Sequence, residues 1–201
     1  MTDNKNFSSP LHDEHKIGLF GEYQDKDKSD LLIVKEVKEI FIFQIVKYKN
    51  SDDDLHLLKI DGLALPLAYP NVVSNSEIRI LWSGPNTWMV ISSNQSVEDK
   101  IHSSLKNEDF AITNLSHSRA VIEISGKNSI DVLKKGTSLN LNPTEFMKNN
   151  SANSSYSGIS FIVDFISDSP LTFRLFCLRS FGGSFYHSIT DAALEYGYSG
   201  E

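Results

Sequence analysis

Cys177 is the only cysteine in this 201-residue chain. One thiol forms no internal disulfide, which excludes a disulfide-stapled secreted scaffold and fits a reducing compartment. Its setting, LTFRLFCLRS, is an apolar strand pattern, so the thiol reads as buried and structural. A long apolar run is also missing, and with it any membrane-spanning helix. The start, MTDNKNFSSPLHDEH, lacks the basic and apolar segments of a signal peptide. The net charge is -7 and the lysines are spread through the chain without gathering into one strong patch, which argues against nucleic acid or an anionic membrane as main partner. Neither G-x-G-x-x-G nor a Walker lysine motif is present, so no nucleotide loop announces itself. These absences together predict a cytoplasmic protein.

What remains is a globular composition, 40% hydrophobic against 22% charged, in a chain long enough for one large domain or two small ones. Residues 1–30 are polar and read as an extended arm with a few apolar anchors: Leu11, Ile17, Leu19 and Phe20. EIFIFQIVKYK (39–49) is rich in β-branched and aromatic residues and predicts a central strand. DDDLHLLKIDG, from Asp52 to Gly62, predicts a short helix with acids at its start. EIRILW and TWMVISS predict a hairpin around Gly84-Pro85-Asn86-Thr87. Val97, Ile101 and Leu105 recur at helical spacing, with Ser96 as cap and Asp99 at the reciprocal position. FAITNL is a further strand.

The same order then begins again. RAVIEIS is a strand, and NSIDVLKK a helix capped by Asn128. ISFIVDFI and LTFRLFCLR are strands around SDSP. A last helix over roughly 183–196 ends at Gly197. The final strand of this second series is missing from the pattern or supplied elsewhere. The expected fold class is α+β: tandem split β-α-β (ferredoxin-like) units, with antiparallel sheets and helices on one face. The expected division is an arm (1–30), a first half (31–115) and a second half (116–201).

Candidate chemistry is sparse. Ser116-His117-Ser118-Arg119 joins the two halves and resembles a reactive cluster, but neighbours in an extended chain point to opposite faces and no third group orients the histidine. His12 and His15 have the H-x-x-H spacing of a metal pair, yet no cysteines or further ligands lie nearby. Asp52, Asp53 and Asp54 suit a helix N-terminus better than a cation site. Gly182 and Gly183 open a helix, where free backbone N–H groups bind anions. With no nucleotide-loop motif beside them, close backbone packing is the better reading of these glycines. Trp82 and Trp88 flank the hairpin and read as core or as interface. No catalytic, cofactor-binding or metal residue is assigned from the residues alone.

Several segments taken together resemble one family. SPL in the arm, GLALP (62–66), LWSGPNTWMV (81–90), NLSHSRAVIEISGKNSIDVLKKGTSLNLNPTEF (114–146) and RSFGGSFYHSITDAALEYG (179–197) come in the order found in the gamma subunit of heterotetrameric sarcosine oxidase. The resemblance implies a fold related to the folate-binding T-protein of the glycine cleavage system. It implies a non-catalytic subunit of an enzyme that demethylates sarcosine to glycine, passing the one-carbon unit to tetrahydrofolate and reducing oxygen to hydrogen peroxide. The partners would be the alpha, beta and delta subunits. These would carry FAD, FMN, NAD, zinc and tetrahydrofolate, and this chain no cofactor of its own. His117, Ser118, Arg119, Trp82 and Trp88 are then the candidate subunit contacts.

The pattern departs from related folate-binding proteins in two places. Lys135-Gly136 is followed by Thr137-Ser138 in place of the K-G-C-Y-x-G-Q-E signature, and KNNSANSSYSG lengthens a surface loop. The alternative to the subunit reading is a freestanding folate-binding or aminomethyltransferase-like protein.

Overall fold

Ala120, Ile122 and Ile124 alternate with Val121 and Glu123 along one strand, and the two sets serve different layers. That alternation organises the whole molecule. The computed structural model describes residues 8–51 and 54–201. Strands β1 (Gly18–Phe20), β2 (Leu32–Glu36) and β3 (Phe41–Lys47) come first, then the short β4 (Lys59–Ile60), β5 (Leu63–Ala64) and β6 (Val72–Ser74). The hairpin β7 (Ile78–Gly84) and β8 (Thr87–Ser92) leads to helix α1 (Val97–Ser104) and to β9 (Phe110–Asn114). The second series is β10 (Arg119–Ser125), α2 (Ser129–Gly136), β11 (Ser151–Tyr156), β12 (Ile159–Asp168), β13 (Leu171–Leu178), α3 (Gly182–Ala193) and β14 (Tyr198–Gly200).

Two sheets result. One runs β6-β7-β8-β3-β9, the other β1-β14-β2-β10-β13-β12-β11. In the five-stranded sheet the last strand of its series, β9, lies beside the first, β3, and the hairpin β7-β8 completes the row; in the seven-stranded sheet β2 stands between the last strand, β14, and the first, β10. This is the split β-α-β order, so the fold is α+β as the pattern predicts. Pairing is antiparallel except between β14 and β2. β14 is the final strand that the sequence pattern did not show. Three residues after Gly197, which turns the chain at φ 67°, are too short to carry a period.

The layers follow from the side chains. Phe173, Leu175 and Phe185 help to build a core between the seven-stranded sheet and helices α2 and α3. Phe43, Ile45, Val97 and Ile101 build a second core between the five-stranded sheet and α1. Between the sheets lie Ile42, Leu81, Met89, Val121 and Phe176.

Several local expectations change. Residues 52–62 do not form a described helix. Asp52 and Asp53 lie outside the described residues. Asp54 accepts the His56 backbone N–H at 3.0 Å in a tight turn, and the chain then extends into β4. Leu55 and Leu58 still pack on the second core, which satisfies their apolar spacing without a helix. Ser96 makes no side-chain cap, because its own backbone is already helical. Asn94 takes that place, accepting the Ser96 N–H at 3.0 Å. Asn128 likewise makes no cap bond to the backbone of α2. The Asn/Ser stretch is a strand, not a loop: β11 pairs along β12, and Tyr156 donates to the Val132 carbonyl at 2.9 Å.

The arm, where described, is part of the fold. Leu11 is fully buried, and β1 pairs with β14. β2, expected with the first half, lies between β14 and β10 in the second sheet.

Candidate functional site

Leu115-Ser116-His117-Ser118 carries the chain from β9 in one sheet to β10 in the other. Such a crossover needs its backbone groups satisfied without a ladder. Leu115 N–H donates to the Ile42 carbonyl at 2.7 Å, and Ser116 Oγ accepts the Ile42 N–H at 3.0 Å. Asn114 Oδ1 accepts the Ser116 N–H at 3.0 Å. Ser118 returns two bonds to the Leu115 carbonyl, from N at 2.9 Å and from Oγ at 3.0 Å. Its own carbonyl accepts the Arg179 N–H at 3.0 Å. The two serine hydroxyls therefore brace the link. His117 is exposed at its tip.

A cleft of about 520 Å³ opens beside this link. Its lining combines Ser116, His117, Arg119 and Arg179 with Glu36, Val37, Lys38 and Glu39 and with Ser8–Pro10 of the arm. The Glu36 carboxylate is held by Ser9 Oγ, 2.6 Å from Oε2, and Lys38 Nζ stands 3.8 Å away. Arg119 shares the face of Val121, which looks into the space between the sheets. Burial pulls its guanidinium below the ordinary value, opposed by the nearby Cys177 thiol. Its Nη1 reaches Ser118 O and Oγ, both at 3.3 Å.

The other sequence-predicted residues do not join this cleft. Trp88 is a core residue rather than a contact residue. It is 1% exposed, and its indole N–H donates to the Pro66 carbonyl at 2.7 Å. Its strand places it on the face toward α1, beside Ile45 and Val90. Trp82 stands directly opposite Trp88 in the hairpin and is half-buried, edge-on to the exposed Tyr69 at 6.3 Å. Cys177 is buried. Burial pushes its thiol up to about 11, with Arg119 opposing. That environment suppresses the thiolate and makes a poor nucleophile.

His15 packs edge-on against Tyr186 at 5.4 Å, and His12 is exposed. Among the described residues no group of three or more His, Cys, Asp and Glu is arranged to hold a metal. Gly182 starts α3 where a Cβ would stand 2.9 Å from the Ala120 Cβ, so helix and sheet touch through it.

Sequence reasoning missed the ionic contacts between the sheets. Arg79 on β7 pairs with Asp164 on β12 through two bonds, Nη2 to Oδ1 at 2.7 Å and Nε to Oδ2 at 2.9 Å. Burial pushes the Asp164 carboxyl up, and Arg79 opposes it. A single inward arginine on β7 and a single inward aspartate in the apolar run ISFIVDFI are the signals that could have found the pair.

The same arrangement of two sheets and flanking helices occurs in aminomethyltransferase T of the glycine cleavage system from Bartonella henselae. The TM-score is 0.62 at 9% identity, over 91% of this chain and 57% of that one. It also occurs in the heterotetrameric sarcosine oxidase from Corynebacterium sp. U-96, solved in complex with pyrrole 2-carboxylate. There the TM-score is 0.78 at 22% identity, over 94% of this chain and 95% of that one. The fold is thus of the aminomethyltransferase type. Residues 53–195 match the model of the sarcosine oxidase, gamma subunit family. The chain belongs to that family. Sarcosine oxidase subunit gamma from Corynebacterium sp. (strain U-96) is 26% identical over 137 residues, which is 67% of this chain and 66% of that protein. Among the described residues no helix is long and apolar enough to cross a membrane.

Proposed function

We propose that this chain is a non-catalytic gamma subunit of a heterotetrameric sarcosine oxidase, assembled with alpha, beta and delta subunits that carry the chemistry. The observation that carries the reading is family membership over residues 53–195. The side chains that most resemble catalytic groups support it, because each has a structural task. Ser116 and Ser118 brace the sheet-to-sheet link, and the Cys177 thiol is buried and suppressed. The flavins, NAD, zinc and tetrahydrofolate of the oxidative demethylation belong, on this reading, to the partners.

His117, Ser118, Arg119 and Trp82 are proposed as contacts to those partners. His117 is exposed at the tip of the link, and Trp82 with Tyr69 forms an aromatic surface pair. Aromatic and arginine side chains are favoured anchors in such interfaces.

The test is affinity purification of the tagged chain from its native background at mild salt. The expected eluate is yellow and contains two large partners and one small one. A colourless chain eluting alone overturns the reading. Saturable folate binding by that lone chain would then support the freestanding folate-binding alternative.

A further inference from the structure

The Arg119–Arg179 cleft is lined by three cations, Lys38, Arg119 and Arg179, and by two carboxylates, Glu36 and Glu39. Arg119 is half-buried, yet its bonds are two long ones from a single nitrogen to its own neighbour, Ser118. Arg179 donates from Nη2 to the Ser8 carbonyl. Neither guanidinium pairs with a carboxylate among the described residues. The Glu36 carboxylate in the same cleft is already engaged by Ser9 and faces Lys38. A buried charge without a counter-charge is costly, whereas a guanidinium fork meets a carboxylate through two parallel bonds. The volume of about 520 Å³ also suits a small ligand or an inserted side chain.

We propose that this cleft is a carboxylate-receiving site, with Arg119 as the bidentate anchor and Arg179 as the second cation. The carboxylate is supplied by an acidic side chain of a neighbouring subunit or by a free small organic acid. The recognition chemistry is the same in both cases. It stands apart from the subunit assignment above, and only the first source rests on that assignment.

The experiment is thermal unfolding of the full chain in sodium malonate, compared with sodium chloride at equal ionic strength. Wild type should show a saturable rise in Tm specific to malonate. R119Q should lose that rise, and R119K, which keeps the charge without the fork, should retain less than half of it. No malonate-specific rise in wild type, or an equal rise in R119Q, overturns the proposal. If R119Q does not fold, R119K decides, and a response at the wild-type level overturns the proposal.

The source is read separately, from partner recovery with R119Q-bearing chain. A drop of tenfold or more identifies a partner carboxylate, and unchanged recovery a free acid. Wild type that recovers no partner overturns the subunit reading while leaving the malonate result intact.

Discussion

Arg79 and Asp164 reach across from opposite sheets and close a two-bond ion pair whose carboxylate is wholly shielded from water. Arg79 also touches Ser74 Oγ at 3.3 Å and Asn149 Oδ1 at 3.2 Å, so its donors are well used. The pair adds fixed geometry to the apolar contacts of Ile42, Leu81, Val121 and Phe176. Removing one partner leaves the other charge buried alone, which costs about 3–5 kcal/mol. R79M and D164L should each destabilise by roughly that amount, while the R79M/D164L double variant should lose less than the two singles combined. Urea unfolding of the three variants measures this. Strict additivity would show that the pair is not coupled.

Glu123 gives the fold an acid limit. Burial raises its carboxyl, but hydrogen bonds from Lys35 and Arg174 outweigh that and hold it below the ordinary value of 4.5. A carboxyl depressed in the folded state stabilises fully above the unfolded value. That contribution fades as pH falls through the folded value. Below about pH 4.5, wild type should therefore lose stability more steeply than E123Q. Denaturation midpoints between pH 3 and 6 test this, and parallel curves would contradict it.

The Cys177 thiol, pushed up to about 11 by burial, should resist modification. At pH 8 a shift from an ordinary 9 to 11 lowers the thiolate fraction about a hundredfold, before any steric protection. Labelling with an aromatic disulfide reagent should be slow in the native chain and fast in denaturant. Prompt native labelling would mean that β13 opens readily.

How much of this was legible in the sequence depends on the length of the signal. Strands with sustained apolar character, such as residues 159–166 and 171–178, were visible, as was the junction at Ser116–Arg119. Short elements were not. β14 has three residues, and β11 is built of Ser and Asn with only Ala152 and Tyr156 as apolar markers. Tertiary pairing with β12 overrides that weak local preference. In the candidate site, Arg119 was readable as a notable residue. Its neighbours Glu36, Arg179 and Ser9 were not, because they come from distant segments that only the fold brings together.

At Gly182, α3 lies close against the sheet. An added Cβ there would meet the Ala120 Cβ at 2.9 Å and the Leu11 Cδ2 at 3.3 Å. Alanine favours helices, but the clash is with a strand that cannot retreat. G182A should therefore destabilise by about 1–3 kcal/mol despite its better propensity. The double variant G182A/A120G should recover part of the loss. Thermal unfolding is the readout, and a stabilised G182A would show that the helix simply shifts.

Leu11 decides whether the arm is ornament or structure. Its surroundings make it structure. The side chain is completely buried in the core that also holds Ala120 and Phe185, and it packs near the start of α3. Two further contacts tie the arm down: Ser9 to Glu36, and Phe20 stacked on Tyr198 at 5.1 Å. By contrast, Ile17 is 82% exposed among the described residues. L11A should cost about 2–5 kcal/mol, the range for emptying a buried leucine site, whereas I17A should be nearly neutral. Limited proteolysis should then cut L11A within residues 8–20 before any cleavage in the sheets. If L11A proves as stable and as protease-resistant as wild type, the arm does not hold this position in solution.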